Sequence, residues 1–561
     1  MDFSFALDNL WVLVGAVIVF AMQAGFAMLE TGLTRAKNAG NIMMKNIVDF
    51  CIGTIVYWFI GFGIMFGDTI GGVLGKPGFF ANPSQFTNLP AGLDPMVFLI
   101  FQTVFCGTAA TIVSGAMAER TKFAAYCIYS AVISMLIYPI SGHWIWGGGW
   151  LSQLGFIDFA GSTAVHLVGG ICALVGAIMV GPRIGKFTRD GKSRAILGHS
   201  LPLSGLGFFL LWFGWFGFNG ASSLAIVGNE GAVGRIFVNT NIAAAAGTVS
   251  VIAVTWIKYK KPDVSMAMNG GLAGLVAITA GCSAVDPFGA LVIGLLSGIV
   301  VFFGIELLDK KFHVDDPVGA VGVHCINGAF GTIMVGFFAT DGGLFYGGGF
   351  RQLGVQTLGV IAVGAWVTAT ILLTFFLIKK IVGIRVSDET QFAGLDIGEH
   401  GLDSAYADFA PVVNGRYFAT QAVNGKVTME EAIPVKETLS DKKGVKITKC
   451  TIICNNAKFE ALKTALGNIG VTGMTVTHVM GCGIQKGHTE FYRGVETELN
   501  LLPKVQVDTV VSKVPVEEVI KAAKSALYTG KMGDGKIFVY DVEDVVKIST
   551  NQYGYDALQD D

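Results

Sequence analysis

The chain has 561 residues, of which 52% are hydrophobic and only 14% are charged. Its mean hydropathy is +0.59 and its formal net charge is −2. That balance excludes an ordinary soluble domain, offers nucleic acid no basic surface, and describes a polytopic membrane protein.

Apolar stretches of about 20 residues recur as far as Ile381, long enough to cross a bilayer as helices. Eleven are predicted, near 9–32, 43–67, 96–117, 122–141, 160–181, 201–225, 237–257, 267–283, 287–308, 321–339 and 354–382. The start, Met1-Asp2-Phe3-Ser4, has no basic segment, so no cleaved leader is expected. Basic residues gather in alternate loops: Arg35, Lys37 and Lys45; Arg120 and Lys122; Arg183, Lys186, Arg189, Lys192 and Arg194; Lys258, Lys260 and Lys261; Lys310 and Lys311; Lys379, Lys380 and Arg385. The positive-inside rule puts these in the cytoplasm, with the N-terminus outside and the C-terminus inside, which requires an odd number of spans. The 76 glycines let membrane helices approach closely. The nine cysteines are scattered, and Cys450 and Cys454 lack metal-site spacing, so all are read as small hydrophobes.

Two histidines interrupt the apolar pattern of the fifth and tenth stretches. Asp158 precedes His166 by eight residues, and Asp316 precedes His324 by the same interval. Intramembrane histidines are expensive to desolvate, so a matched pair points to a substrate or proton path. The two stretches run in opposite directions, which predicts an inverted repeat with the site where its halves meet. A second echo follows, Ile178-Met179-Val180-Gly181 and Ile333-Met334-Val335-Gly336.

Further strings accompany the histidines: Phe101-Gln102-Thr103-Val104-Phe105, Ala118-Glu119-Arg120, Trp146-Gly147-Gly148-Gly149, Trp215-Phe216-Gly217-Phe218-Asn219-Gly220-Ala221-Ser222 and Gly394-Leu395-Asp396-Ile397-Gly398-Glu399-His400-Gly401. With them, roughly residues 5–410 resemble the ammonium transporter (Amt/Mep/Rh) family. The resemblance implies that Phe105, Trp146 and Ser222 recruit ammonium, with Asp158 supporting that site from the protein side. It implies a stacked gate of Phe105 and Phe218, and a pore lined by His166 and His324. The residue types suit that chemistry. Aromatic faces attract a small cation by about 0.5–2 kcal/mol per ring. A serine hydroxyl accepts hydrogen bonds that ammonium can donate and an alkali ion cannot. A hydrophobic constriction charges any ion its desolvation energy, whereas neutral ammonia crosses more easily. Histidine moves protons near neutral pH. The expected mechanism is recruitment as ammonium, deprotonation, passage of ammonia and separate proton movement along the histidines; its rival is passage of intact ammonium. Asp158 equally suits a helix cap at the start of the fifth span.

Residues 386–443 are mixed and polar and read as a cytoplasmic tail and linker, which divides the chain into 1–385, 386–443 and 444–561. From Gly444 the pattern is soluble. Strand-like Lys446–Cys454, a helical stripe of Phe459, Leu462, Leu466 and Ile469, strand-like Thr475–Met480 and Val505–Val511, a second stripe through Val516, Val519, Ile520, Ala523 and Leu527, and Ile537–Val542 follow in order. The order β-α-β-β-α-β is ferredoxin-like. Thr472–Val476, Gln485–Gly494, Leu502–Lys504 and Thr529–Phe538 resemble the PII (GlnK-type) signalling proteins over about 444–550. That resemblance implies an adenine nucleotide (ATP, ADP or AMP) held by Thr475, Gln485, Gly530, Lys531, Gly533, Asp534, Gly535 and Lys536. It implies 2-oxoglutarate at Gln485 and Lys504, metal contact by Gln485 only through Mg-ATP, and a T-loop arginine, Arg493, that reaches a pore mouth. The chain departs from the PII pattern at Ile484, Lys547 and Ser549, where arginines are usual, and at Thr497, where relatives carry a modified tyrosine.

The reading is therefore a polytopic all-α protein of the plasma (inner) membrane with a C-terminal α+β regulatory domain. Its expected substrate is ammonium or ammonia, its expected assembly a homotrimer, and it is not expected to be an enzyme. The alternative is an ammonium sensor that signals through the PII domain with little transport.

Overall fold

A computed structural model describes residues 3–83, 86, 89–402, 405–406, 446–455, 458–481, 489–492, 495–498, 502–530 and 534–558. It divides into two compact units, one of Met1–Pro411 with Phe491–Glu496 and the other of Val412–Glu490 with Thr497–Asp561.

The first unit is a bundle of apolar helices: α1 (Phe3–Leu33), α2 (Ala36–Phe66), α3 (Pro95–Ala116), α4 (Phe123–Gln153), α5 (Ser162–Val180), α6 (Leu201–Ser223), α7 (Glu230–Tyr259), α8 (Val264–Thr279), α9 (Pro287–Lys310), α10 (Val321–Phe338) and α11 (Arg351–Ile381). Among the described residues, ten are long and apolar enough to span a membrane; α8 is apolar but shorter. Each predicted stretch holds one helix. Several helices open on a side chain that caps them: Asp94, Ser200, Asp263 and Asp286 each accept a backbone N–H of the first turn. Pro95, Pro202 and Pro287 follow three of these caps, where a missing N–H costs nothing.

One expectation needs correction. Lys45 is not a loop residue: α2 begins at Ala36, so Lys45 lies within the bundle and is only 1% exposed. The predicted stretch 43–67 already contains Lys45, and α2 extends it back to Ala36, so only the grouping of Lys45 with the loop cations fails. The start of the tail is also folded. Two short helices, α12 (Asp388–Ala393) and α13 (Leu395–His400), dock on one end of the bundle. The Asp396 carboxylate accepts the N–H groups of Gly40 and Asn41, at 3.0 and 2.7 Å. The Arg385 guanidinium donates to the carbonyls of Val180 and Pro182.

From Thr448 onward, β1 (Thr448–Asn455), β2 (Thr475–Gly481), a separate two-stranded sheet of β3 (Thr489–Tyr492) and β4 (Val495–Glu498), β5 (Leu502–Val511) and β6 (Lys536–Asp541) alternate with α14 (Phe459–Asn468) and α15 (Val516–Leu527). The main sheet runs β2-β5-β1-β6, all antiparallel. Alternation along the two central strands buries Cys450, Ile452, Cys454, Val505 and Val507 against Leu462, Leu466, Val519 and Ala523 of the helices. This is the ferredoxin-like order expected from the sequence.

Candidate functional site: an aromatic stack above paired histidines

The two histidine segments are built alike. Asp158 Oδ1 accepts the Gly161 N–H at 3.1 Å, and its Oδ2 accepts those of Thr163 and Ala164 at 2.9 and 2.8 Å. Asp316 Oδ1 accepts the Gly319 N–H at 2.9 Å, and its Oδ2 that of Val321 at 2.8 Å. Gly161 and Gly319 have φ of 110° and 83°, a region that L side chains rarely adopt. Each capped turn opens a π-helical segment, Ser162–Leu167 and Val321–Ile326, that carries the histidine. Such segments are frequent at functional positions.

A glycine four residues beyond each histidine brings the segments together. A Cβ on Gly170 would stand 2.2 Å from Cys325 N, and one on Gly328 2.6 Å from Ser162 O. Each helix therefore lies directly on the backbone of the other histidine segment. His166 and His324 are both buried, their Nδ1 atoms 3.2 Å apart and their ring planes 23° from parallel. In a neutral pair, one Nδ1 donates and the other accepts, so one Nε2 is an acceptor and the other a donor. His166 Nε2 is buried and has no hydrogen-bond partner among the described residues. A small molecule able to donate or accept hydrogen bonds would satisfy it.

Above the pair stands an aromatic column. Trp215 stacks on His166 with centroids 5.1 Å apart, and its indole N–H donates to Thr279 Oγ1 at 2.8 Å. Phe218 lies 5.5 Å from His166 and stacks on Phe105 at 4.0 Å. Trp146 meets Phe105 edge-on at 6.2 Å, and its indole N–H donates to the Asp158 carbonyl at 2.7 Å. The Ser222 hydroxyl donates to the Phe218 carbonyl at 2.7 Å, which commits its proton and leaves lone pairs to accept. Phe105 and Phe218 are buried, whereas Trp146 and Ser222 are half-buried. Exposure thus falls from Trp146 to the phenylalanine stack and stays low at the imidazoles, where polarity returns. Below them lies a cavity of about 20 Å³ lined by Phe26, Glu30, Asn269 and His324.

A family profile described as Ammonium Transporter Family matches residues 10–406. The chain belongs to the ammonium transporter family. A second profile, Nitrogen regulatory protein P-II, matches residues 447–552. Ammonium transporter Amt2 of Archaeoglobus fulgidus is 45% identical over 427 residues, covering 72% of this chain and 89% of that one. A putative ammonium transporter of Synechocystis sp. is 44% identical over 407 residues, covering 71% and 89%. Among solved structures, a "Sensor Amt Protein" superposes with a TM-score of 0.67 at 42% identity, covering 71% of this chain and 99% of that one. Candida albicans Mep2 superposes at 0.63 with 26% identity, covering 73% and 92%. The protein is thus a multi-pass membrane transporter-family chain with a fused P-II domain.

In this member of the ammonium transporter family, the residues expected at the recruitment site (Phe105, Trp146, Ser222, Asp158), the gate (Phe105, Phe218) and the pore (His166, His324) converge on one column. Asp158 enters it twice: its carboxylate caps α5 and its carbonyl holds Trp146. The sequence reading gave no role to Trp215, Asp316, Gly170 or Gly328. The matching interval between each histidine and its glycine carried a signal for the last two. Gly170→Ala is expected to separate the segments and cut ammonium flux at least tenfold in proteoliposomes. Gly364→Ala, whose Cβ would meet only Ile171 Cδ1 at 3.6 Å, is the control and should transport normally. Equal flux in the two variants would refute the packing argument.

The opposite end of the bundle is closed by buried ions. Glu119 accepts from Arg35 and from Arg183, the latter at 3.0 Å, and Arg183 also pairs with Asp315 at 2.8 Å. Arg120 donates to the Asp315 carbonyl at 2.6 Å. Glu119 has φ of 72°, a left-handed conformation held by these partners. Burial pushes the Glu119 and Asp315 carboxyls up, but the arginines prevail and both end below the usual carboxylate range. Burial lowers Arg120 to about 10. Several of the basic loop residues used to orient the chain are thus paired internally.

In the P-II domain, strand register sets Lys504 opposite Asn455 and Lys536 opposite Ile453, on either side of β1 at the same end of the sheet. Asp534 accepts from the Thr529 N–H and hydroxyl, closing the turn before β6. A cleft of about 340 Å³ beside it is lined by Ala523, Leu527, Tyr528, Asp534, Gly535 and Lys536, a size suited to a small organic ligand. Gly530 lies in the same turn. Thr475 pairs with Asp508, four positions along β5 from Lys504, so the register does not bring it to that end. Gln485, Arg493, Lys531 and Gly533 lie outside the described residues.

Proposed function

We propose that the chain carries ammonium across the plasma membrane, with Trp146, Phe105 and Ser222 as the external recruitment site. The Phe105–Phe218 stack is the gate that ammonium leaves its proton to pass, and His166 and His324 line the pore for ammonia. The observation that carries this reading is the unbroken sequence of contacts from Trp146 through Phe105 and Phe218 to His166 and His324. Only the outer members are accessible, so an ion entering the stack would lose its hydration without an equivalent replacement. Ammonia is neutral and finds hydrogen-bond partners on the imidazoles.

The fused P-II domain lies in the cytoplasm in this reading and regulates the pore in response to an adenine nucleotide and 2-oxoglutarate. Lys504, Lys536 and the Asp534 turn support an anion-binding end of the sheet. Tethering supplies the regulator at about millimolar effective concentration, so its control rests on loop conformation rather than tight affinity. The functional particle is a homotrimer, and the chain divides into a transporter, a tail with linker, and the regulator.

A second reading is favoured by the solved structure titled "Sensor Amt Protein", which is 42% identical. In that reading the bundle of this chain binds ammonium and its P-II domain is the output. Ammonium-evoked currents in proteoliposomes decide between them, comparing the full chain with a truncation ending near Lys443, each with and without nucleotide. Current in both forms, altered by nucleotide only in the full chain, is expected. Absence of current in both, with ammonium still bound, would reject transport and leave the sensor. His166→Leu removes the unpartnered nitrogen and is expected to reduce current at least tenfold.

A further inference from the structure

The pore ends below His324 in the small cavity shared with Glu30. Its volume takes about one water-sized molecule. Glu30 is 2% exposed and Lys45 is 1% exposed. Ser114 Oγ donates to Glu30 Oε2 at 2.7 Å, and Asn46 Nδ2 reaches the same oxygen at 3.4 Å. Lys45 Nζ donates to the Ser114 carbonyl at 3.2 Å. Helices α1, α2 and α3 thus assemble a desolvated acid and a desolvated base beside the second histidine. Such a pair is a weak source of stability, because desolvation offsets attraction. Inside a membrane protein, ionisable groups in the bundle mark transport paths.

The neighbouring charges are already engaged. Asp316 faces Glu30, but its carboxylate caps α10. Asp49, Arg120 and Glu119 surround Lys45. Asp49 accepts from Tyr126 and Gln23, Glu119 from Arg35 and Arg183, and Arg120 donates to carbonyls. Both donors to Glu30 reach Oε2, and Oε1 makes neither of those bonds.

We propose that Glu30 is the proton acceptor at the inner end of the pore, taking the proton that His324 delivers and releasing it to the cytoplasm. The His324 imidazolium gives its N–H proton to the molecule in the cavity as that molecule passes one to the Glu30 carboxylate. One N–H bond breaks on His324 and one O–H bond forms on Glu30. The carboxylic acid then loses the proton to cytoplasmic water, where the ammonia that has crossed the pore takes it up. One positive charge crosses per ammonia. Lys45, with its charge beside the carboxylate, favours the return of Glu30 to its ionised form. This inference rests on the transporter reading with separate proton movement.

The test uses the full chain in proteoliposomes, with ammonium-evoked current and ammonia flux (followed by a luminal pH dye under an ammonia gradient) measured on the same preparations. Glu30→Gln is expected to lower current at least tenfold and leave ammonia flux within twofold of the original chain. Glu30→Asp is expected to restore a measurable part of the current. Equal current in Glu30→Gln, or joint loss of current and flux in both variants, overturns the proposal. If Glu30→Gln is not recovered folded, Lys45→Met decides: the relay predicts at least a threefold loss of current with flux preserved, and unchanged current or joint loss overturns it. Absence of current in the unaltered chain would instead reject the transporter reading itself.

Discussion

Replacing Asp158 with alanine is expected to abolish transport and to lower the melting temperature of the detergent-solubilised protein more than any other single change in the pore wall. The carboxylate accepts three backbone N–H groups, and alanine leaves all three buried without partners. An unsatisfied buried donor costs about 1–3 kcal/mol, so the start of α5 loses several kcal/mol. The same loop carries the carbonyl that holds Trp146, so any residual transport should need a higher ammonium concentration. Asp316→Ala removes two such acceptor bonds and should destabilise less, in keeping with the smaller cap. Flux and thermal unfolding measured on both variants check the pair. Normal melting of Asp158→Ala would show that the cap contributes little.

Arg183→Met is expected to have the second large effect. Its guanidinium is 3% exposed and bridges Glu119 and Asp315, whose side chains are fully buried. Removing one partner from a buried ionic group costs about 3–5 kcal/mol, because the remaining charges stay desolvated and unpaired. The result should be a large fall in folded yield, with partial recovery in Arg183→Lys, which keeps the charge and loses the forked geometry. The same cluster sets an acid limit. Both carboxyls titrate below their ordinary range in the folded protein, so their contribution is present above the unfolded values, near 4, and is lost as pH falls through the folded ones. Stability should therefore decline below about pH 4, and Arg183→Met should make that decline shallower, because the carboxyls it no longer pairs are held less far below their unfolded values. A melting series across pH for both forms checks the sign; coincident curves would exclude the cluster as its origin.

The membrane fold was legible because its two signals are local. Length and hydropathy mark each helix, and the caps before Pro95, Pro202 and Pro287 mark where helices start. Lys45 lies inside its predicted stretch, and the error was to count it among the loop cations. A window cannot tell a loop lysine from one that will find Ser114 and Glu30 on neighbouring helices. How the start of the tail docks was not legible either, since Asp396 and Arg385 gain their partners from residues hundreds of positions away. The β-α-β-β-α-β order of the C-terminal domain was readable because strand alternation and helical stripes are again short-range patterns.

By itself, the sequence determined the membrane class, the helix positions, the ferredoxin-like order and the residue types available to a pore. The equal Asp-to-His intervals determined that two segments would be built alike, because a cap and a turn are fixed by neighbours in the chain. Only the tertiary structure decided that the two imidazoles meet, that Trp215 covers one of them, and that Glu30 and Lys45 stand together below the other. Those outcomes depend on how closely α5 and α10 can approach through Gly170 and Gly328 and on which side chains neighbouring helices then bury. Packing of that kind is a property of pairs distant in sequence, and hydropathy, charge and periodicity carry no measure of it.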